Sequence, residues 1–115
     1  MTEFALGKTL TDPKAIVFIA RDQLHRTQGF CMGQAENSDY EPDLIEAYLR
    51  YIAVAPEYRG SGLATKLYWL VIDELKRIGV TCLNVWANST SGATKFFAKQ
   101  GLVRGKEYTW MDMRF

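Results

Sequence analysis

A strand-like segment and an amphipathic helix are joined, near the middle of the chain, by a short loop that contains one proline and two glycines. The strand-like segment, Ile45–Ala55, is rich in Tyr, Ile and Val and stops at Pro56, which cannot donate to a strand ladder. The helical segment, Ser61–Ile78, is followed by Gly79, a common helix stop. Its apolar residues recur at helical spacing: Leu63, Leu67, Leu70, Val71, Leu75 and Ile78. The end of a strand is therefore joined by a short loop to the start of a helix, which predicts an α/β (α+β) fold.

The loop between these segments has the composition of an anion-binding turn. Glycines at positions 60 and 62 let the backbone approach a ligand closely, and the amides of Arg59–Ala64 would lie at the positive end of the helix dipole. The Arg59 side chain adds a charge that can pair with phosphate. A Walker loop and the third glycine of the dinucleotide fingerprint are absent. The loop predicts a phosphate site of another kind, and a plain strand-to-helix turn is the alternative.

Strand-like and helical patterns also alternate on both sides of this loop. Residues 1–14 are interpreted as an arm or the end of a helix. Before the loop we predict a strand, a turn, a second strand and an acidic loop: Ala15–Arg21, Asp22–Thr27, Gln28–Glu36 and Asn37–Pro42. After the long helix we predict a strand, a short helix ending near Gln100, and a strand-like end: Thr81–Ala87, about 92–100, and Val103–Phe115. The predicted order is β-β-β-α-β-α-β(-β).

Length and composition limit the classes of protein. A chain of 115 residues predicts one domain over 1–115. The longest apolar runs have six residues, whereas a membrane-spanning helix needs about 20. The start of the chain has no basic residue followed by an apolar stretch, so we expect no secretory signal. Cys31 and Cys82 are far apart and there is one His, which predicts a cytoplasmic protein without disulfides and with no metal site.

Charge is distributed unevenly along the chain. The net charge of +1 gives no indication of nucleic-acid binding. Residues 1–50 hold five Lys/Arg and eight Asp/Glu, whereas residues 51–115 hold nine and five. Five acids fall in one segment without Lys or Arg: Glu36, Asp39, Glu41, Asp43 and Glu46. Such a segment is usually a solvated loop, but it can also attract a cationic partner.

The central loop resembles a motif of the GCN5-related N-acetyltransferases. Arg59–Ala64 matches [Q/R]-x-x-G-x-[G/A], and Ile52–Gly60 is typical of the residues that precede it. Ala93 and Phe96–Leu102 resemble the second conserved segment of that family. The resemblance runs from about Ala15 to the end of the chain. It implies a mixed, mostly antiparallel sheet flanked by helices, with acetyl-CoA as co-substrate and a primary amine, on a small molecule or peptide, as acceptor.

The resemblance also implies roles for individual residues. In that family the loop amides hold the CoA pyrophosphate, which assigns this role to Arg59, Gly60, Ser61, Gly62, Leu63 and Ala64. The backbone of Ile52–Val54 would pair with the pantetheine arm, and the Val54 N–H would polarise the thioester carbonyl. This strand and the next would splay apart to admit the arm, and Asn88 would contact the cofactor.

Three departures from the family pattern bear on catalysis. Only about 14 residues precede the first matched strand, so we expect most of the usual N-terminal strand-helix-helix part to be missing. Phe97 stands where a Tyr often protonates the leaving thiolate, and Asn84 stands where some members have a catalytic Glu. Asn88 also lies two positions before the usual asparagine, where this chain has Thr90.

Other residues are candidates for the two catalytic roles. Glu46 is the candidate base, and Tyr48, Tyr51 and Tyr108 are the candidate acids. The alternatives to an enzyme are a CoA-binding module with little or no activity and an interaction domain that keeps only the fold.

Two further expectations concern partners. Tyr68, Trp69 and Ile72 lie off the apolar stripe of the long helix, which predicts burial on a second side or contact with another chain, and we expect a homodimer. The acidic segment leads into the strand beside the reaction centre that the resemblance implies. We therefore expect a small cationic amine as acceptor.

Overall fold

Strands and helices are described for most of the chain in a computed structural model, which covers residues 2–7, 14–37, 43–87, 92–105, 109 and 111–115, without the side chain of Asn37. The chain divides into two compact units, Met1–Val85 and Trp86–Phe115. The first holds five strands, one turn of 3-10 helix and a long helix: β1 (Glu3–Gly7), β2 (Ala15–Arg21), β3 (Thr27–Asn37), β4 (Ile45–Val54), the 3-10 turn Pro56–Tyr58, α1 (Leu63–Arg77) and β5 (Cys82–Val85). The second holds α2 (Ala93–Lys99).

The five strands form one sheet in the order β1-β2-β3-β4-β5. All neighbours are antiparallel except β4 and β5, which run parallel from Glu46↔Cys82 to Leu49↔Val85. The predicted fold class, a mixed α/β fold with a mostly antiparallel sheet, is confirmed.

The predicted order of elements is wrong at the N-terminal end. The segment interpreted as an arm or helix end contains β1, whose residues pair with β2 from Glu3↔Arg21 to Gly7↔Val17. The three apolar residues Phe4–Leu6 lack the alternation of apolar and polar residues that marks a half-buried strand. This strand therefore depends on pairing with β2 and not on its own pattern.

The strand predicted over Val103–Phe115 is also not found. The described residues of that segment, 103–105, 109 and 111–115, are not in a strand. They include side chains that are largely exposed: Val103, Met111, Met113 and Phe115.

Helix α1 packs closely on the sheet because the facing positions of β3 are small. A Cβ added to Gly33 would lie 2.9 Å from Val71 Cγ1, and one added to Gly29 would lie 3.3 Å from Leu67 Cδ1. Cys31, between these glycines, is fully buried. The apolar stripe of α1 therefore lies directly on the backbone of β3, and this contact forms the centre of the core.

Helix α1 is also buried on a second side. This is one of the two alternatives that the sequence left open for Tyr68, Trp69 and Ile72, the other being contact with another chain. Tyr68 is 3% exposed and Ile72 is 8% exposed, so the chain itself covers two of the three residues that suggested a partner. Trp69 is 38% exposed, and its ring lies edge-on to that of Tyr68 and beneath the Lys76 ammonium. In the described residues no helix is long and apolar enough to cross a membrane.

The two thiols should react with an aromatic disulfide reagent at very different rates. Burial raises the pKa of Cys31 to about 12, so at pH 8 only about one thiol in ten thousand is ionised at this position. Cys82 is half-buried at the sheet edge. In native protein one thiol should react quickly, and Cys82→Ser should remove that reaction. Rapid reaction of both thiols without denaturant would contradict the packing of α1 on β3.

Candidate acyl-CoA site

The loop between β4 and α1 is shaped by two glycines with left-handed backbone angles. After the 3-10 turn, Gly60 has φ +80° and Gly62 has φ +82°, a region that side chains other than Gly rarely adopt. The Ser61 hydroxyl donates to the carbonyl oxygen of Tyr58 at 2.6 Å. These features turn the chain sharply from the strand into the helix.

This turn leaves the first amides of α1 free of intrahelical acceptors. The first bond of the helix runs from the Lys66 N–H to the Gly62 oxygen at 3.1 Å, and no described side chain caps Gly62. The N–H groups of Leu63 and Ala64 therefore lie at the positive end of the helix dipole. A Cβ on Gly60 or Gly62 would meet nothing within 4 Å. The turn can hold an anionic group against its backbone.

Among the described strands of the first unit, none pairs with one edge of the end of β4, and this edge is called the open edge here. The pairing of β4 with β5 stops at Leu49↔Val85, five residues before the strand ends. Arg50 is an extra residue there, because Met32 pairs with Tyr51 and Gly33 with Leu49. Such a bulge bends the strand and increases its twist. The divergence of β4 from the next strand stays a prediction, beside the observation that their pairing stops at Leu49↔Val85.

Two contacts fix which backbone groups face this open edge. The Ala55 N–H donates to the Gln28 oxygen at 2.8 Å, and the Ala53 oxygen lies 2.7 Å from the position of a Cβ on Gly29. Positions 53 and 55 thus face β3, and because backbone groups alternate along a strand, Ile52 and Val54 face away from it. Their N–H and C=O groups lie along the open edge that leads to the loop.

A hairpin turn between β2 and β3 supports the loop from the side. The Tyr58 hydroxyl donates to Asp22 Oδ2 at 3.4 Å, and Arg26 Nε donates to the same oxygen at 2.8 Å. Hydrogen bonds from the backbone and then the side chain of Arg26 hold the pKa of Asp22 below its ordinary value, against partial desolvation. An open cleft of about 330 Å³ lies beside this turn and is lined by Thr2, Asp22, Gln23, Leu24, Arg26, Gln28 and Tyr58.

The family of this chain is decided by a comparison of its sequence with protein-family models. The model of the Acetyltransferase (GNAT) family matches residues 3–102. The chain belongs to the GNAT acetyltransferase family. The match begins in β1, so it extends further toward the N-terminus than the resemblance noted from the motifs.

Solved structures share this GNAT fold at low sequence identity. An acetyltransferase from Trypanosoma brucei has a TM-score of 0.76 at 16% identity, over 87% of this chain and 70% of its own. Glucosamine-6-phosphate N-acetyltransferase from Arabidopsis thaliana gives 0.73 at 14%, over 89% and 67%. An aminoglycoside acetyltransferase from an uncultured soil sample gives 0.77 at 18%, over 91% and 70%. The chain spans about two thirds of the length of these structures. No curated protein matches it.

Two candidate catalytic residues of this GNAT domain, Glu46 and Tyr48, lie away from the open edge, whereas Tyr51 directly precedes Ile52. Glu46 and Tyr48 are half-buried on the part of β4 that is paired with Cys82 and Asn84 of β5. Glu46 precedes Ile52 by six residues, about 20 Å along an extended strand. The structure brings Tyr48 and Asn84 together in register, but it does not bring Glu46 to the loop.

Two predicted site residues, Asn88 and Tyr108, lie outside the described residues. Phe97 lies on α2 with its ring edge-on to Phe96, at 5.3 Å between centroids, and it is buried. Among the described residues no group of three or more His, Cys, Asp or Glu could hold a metal ion.

Three features of the site were missed by sequence reasoning. The bulge at Arg50, the Tyr58–Asp22 contact and a bond from Arg59 Nε to the Val54 oxygen at 3.2 Å all depend on neighbours distant in sequence or on side-chain direction. Of these three features, only the Tyr58–Asp22 contact had a signal in the sequence, because Asp22 stands at the start of the tight turn Asp22–Arg26.

Proposed function

We propose that this GNAT domain transfers an acetyl group from acetyl-CoA to a primary amine. The single observation that carries the proposal is the continuity of two backbone features. The open edge at Ile52 and Val54 runs directly into a turn whose free amides at Leu63 and Ala64 suit an anion. One elongated ligand with an amide-bearing arm and a pyrophosphate fits this pair of features.

The loop and the open edge would bind different parts of acetyl-CoA. The amides of Gly60–Ala64 hold the pyrophosphate and the Arg59 guanidinium pairs with it, since the Arg59 N–H already donates to the Pro56 oxygen. The open space beside Gly60 and Gly62 admits the ligand. The edge groups of Ile52 and Val54 pair with the pantetheine arm, and the Val54 N–H polarises the thioester carbonyl for attack by the amine. A thiol has a pKa of about 8.5, so CoA can leave as the thiolate without full protonation.

The proposal also names candidates for the general acid and the general base. Tyr51, one residue before Ile52 and 57% exposed, is the described candidate acid closest along β4 to the open edge; Tyr48 and Tyr108 are the other candidates, and Glu46 is the candidate base. Phe97 has no hydroxyl, and the absence of one general acid typically slows a reaction by about 10²–10⁴-fold. We therefore expect transfer that is slow compared with relatives that have the tyrosine.

A CoA-binding module with little or no transfer is the second candidate function. Phe97, buried and without a hydroxyl, and Asn84, which cannot act as a base, both favour it. Mass spectrometry of amines incubated with acetyl-CoA and the protein separates the two candidates. Acetylated product above a protein-free control supports the transferase, whereas tight binding without product supports the module.

The acceptor in this proposal is a small cationic amine. Glu36 and Glu46 lie directly opposite each other on β3 and β4, and like charges so placed repel. Asp43 is exposed two residues before β4. Because these carboxylates lie about 20 Å along β4 from the open edge, they would attract a cationic amine toward the domain and would not hold it at the thioester. The soil-sample neighbour is named for aminoglycosides, which are also cationic amines, although that likeness is one of fold.

Reversing two of these charges should weaken use of the amine more than use of acetyl-CoA. For Asp43→Lys with Glu46→Lys we expect the KM of a polyamine to rise about tenfold while the KM of acetyl-CoA changes little, because steering by opposite charge is lost. Steering weakens as salt rises. The salt dependence of kcat/KM for the amine should therefore become flatter.

The matched control reverses two exposed acids elsewhere, Glu3→Lys with Asp73→Lys, and makes the same change in net charge. It should leave the amine KM within about twofold of wild type, as expected for distant exposed charges in moderate salt. Equal effects of the two double reversals, or equal acetylation of neutral amines, would show that the acidic segment does not select the acceptor.

A homodimer and a cytoplasmic location complete the proposal. Of the residues that suggested a partner chain, Tyr68 and Ile72 are buried within the chain and Trp69 is 38% exposed. We also keep the proposal that residues 1–115 act as one domain.

A further inference from the structure

The open cleft beside the turn between β2 and β3 contains a buried glutamine with a free amide group. Gln28 is 7% exposed, and its Oε1 accepts a hydrogen bond from the Thr2 hydroxyl at 2.8 Å. Its Nε2 has no acceptor among the described residues, and in that part of the chain no fully buried side-chain nitrogen lacks a partner. The Nε2 group therefore reaches the surface of the cleft that Gln28 lines, where its N–H groups can donate to a ligand.

Arg26 brings further donors to the same cleft. Its Nε donates to Asp22 Oδ2 at 2.8 Å, and its side chain is 69% exposed. This bond leaves the two terminal nitrogens of the guanidinium without a hydrogen bond to any described residue. Because Asp22 holds Nε, the planar guanidinium is oriented before a ligand arrives, and its terminal N–H groups remain available.

Asp22 cannot act as a further acceptor in this cleft. Its Oδ1 accepts from the backbone N–H groups of Leu24 and Arg26, at 2.8 and 3.0 Å. Its Oδ2 accepts from Arg26 Nε and from the Tyr58 hydroxyl. The lone pairs of the carboxylate are therefore occupied. The free groups of Gln28 and Arg26 are all donors, which favours a ligand with acceptor oxygens.

We propose that this cleft is a binding site for a small monocarboxylate, held by the Gln28 amide and the Arg26 guanidinium. A carboxylate is planar and matches the fork of guanidinium N–H groups. A doubly charged phosphate would be repelled by Asp22 about twice as strongly, because the Coulomb energy scales with charge.

The size and the apolar wall of the cleft suit a ligand with a short aliphatic tail. Its volume of about 330 Å³ is at the lower end for small-molecule sites, and Leu24, which is 71% exposed, offers the tail an apolar contact. Gln28 and Arg26 belong neither to the open edge of β4 nor to the turn before α1. The inference therefore does not depend on the proposed function.

An NMR titration with butyrate tests the site through the side-chain amide of Gln28. We expect saturable shifts of this amide and of the Gln23 and Leu24 backbone amides. The dissociation constant should be on the order of 1 mM, as expected of one charge-assisted and one neutral hydrogen bond in an open cleft. Butyramide, the neutral isostere, should bind about tenfold more weakly, and inorganic phosphate should also bind more weakly than butyrate at this amide.

Two variants and a matched control assign the binding to these donors. Gln28→Met removes one donor at similar side-chain length and should weaken butyrate binding about fivefold, and Arg26→Ala should weaken it about tenfold. Arg77→Ala should leave the constant unchanged. Arg77 is also an exposed arginine whose Nε donates to a nearby acid, Glu74, at 2.9 Å, but it lies about 21 Å along α1 from Leu63.

Several results would overturn the proposal. These are shifts of the Gln28 amide that do not saturate, equal affinities for butyrate and butyramide, tighter binding of phosphate than of butyrate, and equal effects of Arg26→Ala and Arg77→Ala. The titration of wild-type protein reads Gln28 directly, so the outcome does not depend on whether a variant folds.

Discussion

Leu67→Ala should lower the free energy of unfolding by about 2–5 kcal/mol, which is a large fraction of the 5–15 kcal/mol typical of a domain. Leu67 is fully buried in α1, and its Cδ1 faces the backbone of β3 at Gly29. Because Gly29 has no side chain that could move into the space, the cavity should stay open and the loss should lie toward the upper end of the range. Denaturant unfolding measures the difference.

Leu24→Ala is the control for this prediction, because Leu24 is 71% exposed. It should change the free energy of unfolding by no more than about 0.5 kcal/mol. A second test uses the contact between Gly33 and Val71. Gly33→Ala with Val71→Ala should be less destabilised than the two single changes added together, since the new methyl group fills the space of the lost one. Additive losses, or a small loss for Leu67→Ala, would contradict close packing of α1 on small residues.

Gly62→Val should reduce the affinity for acetyl-CoA by about a hundredfold or more. A side chain at φ +82° is strained, and its atoms would occupy the open space beside Gly62 that the proposal assigns to the pyrophosphate. Loss of two bonds from the Leu63 and Ala64 amides to phosphate, at about 1.5 kcal/mol each, gives a factor of that size. Calorimetric titration of both proteins with acetyl-CoA measures it.

Gly101→Val provides the matched control for backbone strain. Gly101 follows a helix end, has φ +98°, and has nothing within 4 Å of the position of its Cβ. The two valine variants should be destabilised to a similar extent, but Gly101→Val should bind acetyl-CoA like wild type. Equal losses of affinity would show that the effect of Gly62→Val comes from the fold and not from the loop.

Some helices and strands could be predicted from the types and spacing of their own residues. Ala15–Arg21 is a strand with the predicted bounds, because a run of β-branched and aromatic residues needs no other information. Helix α1, Leu63–Arg77, lies inside the predicted Ser61–Ile78, since its stripe and its flanking glycines are explicit in the sequence. For the loop, the sequence predicted only that Gly60 and Gly62 let the backbone approach a ligand, and the left-handed angles at both are a finding of the structure.

Features that depend on partners could not be predicted in the same way. The strand β1 exists because β2 offers it an edge, and its own residues Phe4–Leu6 show no period of two. The bulge at Arg50 arises from the register between β3 and β4, which no local residue marks. Burial of Tyr68 and Ile72 depends on the second side of α1. Glu46 lies in the same strand as Ile52, but the six residues between these positions place it about 20 Å away along the extended chain.

A heteronuclear NMR titration of wild-type protein with acetyl-CoA tests the proposed site most directly, because each amide reports separately and a chain of 13.1 kDa gives resolved spectra. The proposal predicts large, saturable shifts for the amides of Ile52, Val54, Leu63 and Ala64, which face the open edge and the turn. Amides at the far end of α1, from Arg77 to Gly79, should shift little. Absence of saturable shifts, or shifts confined to residues remote from the loop, would contradict an acyl-CoA site at the junction of β4 and α1.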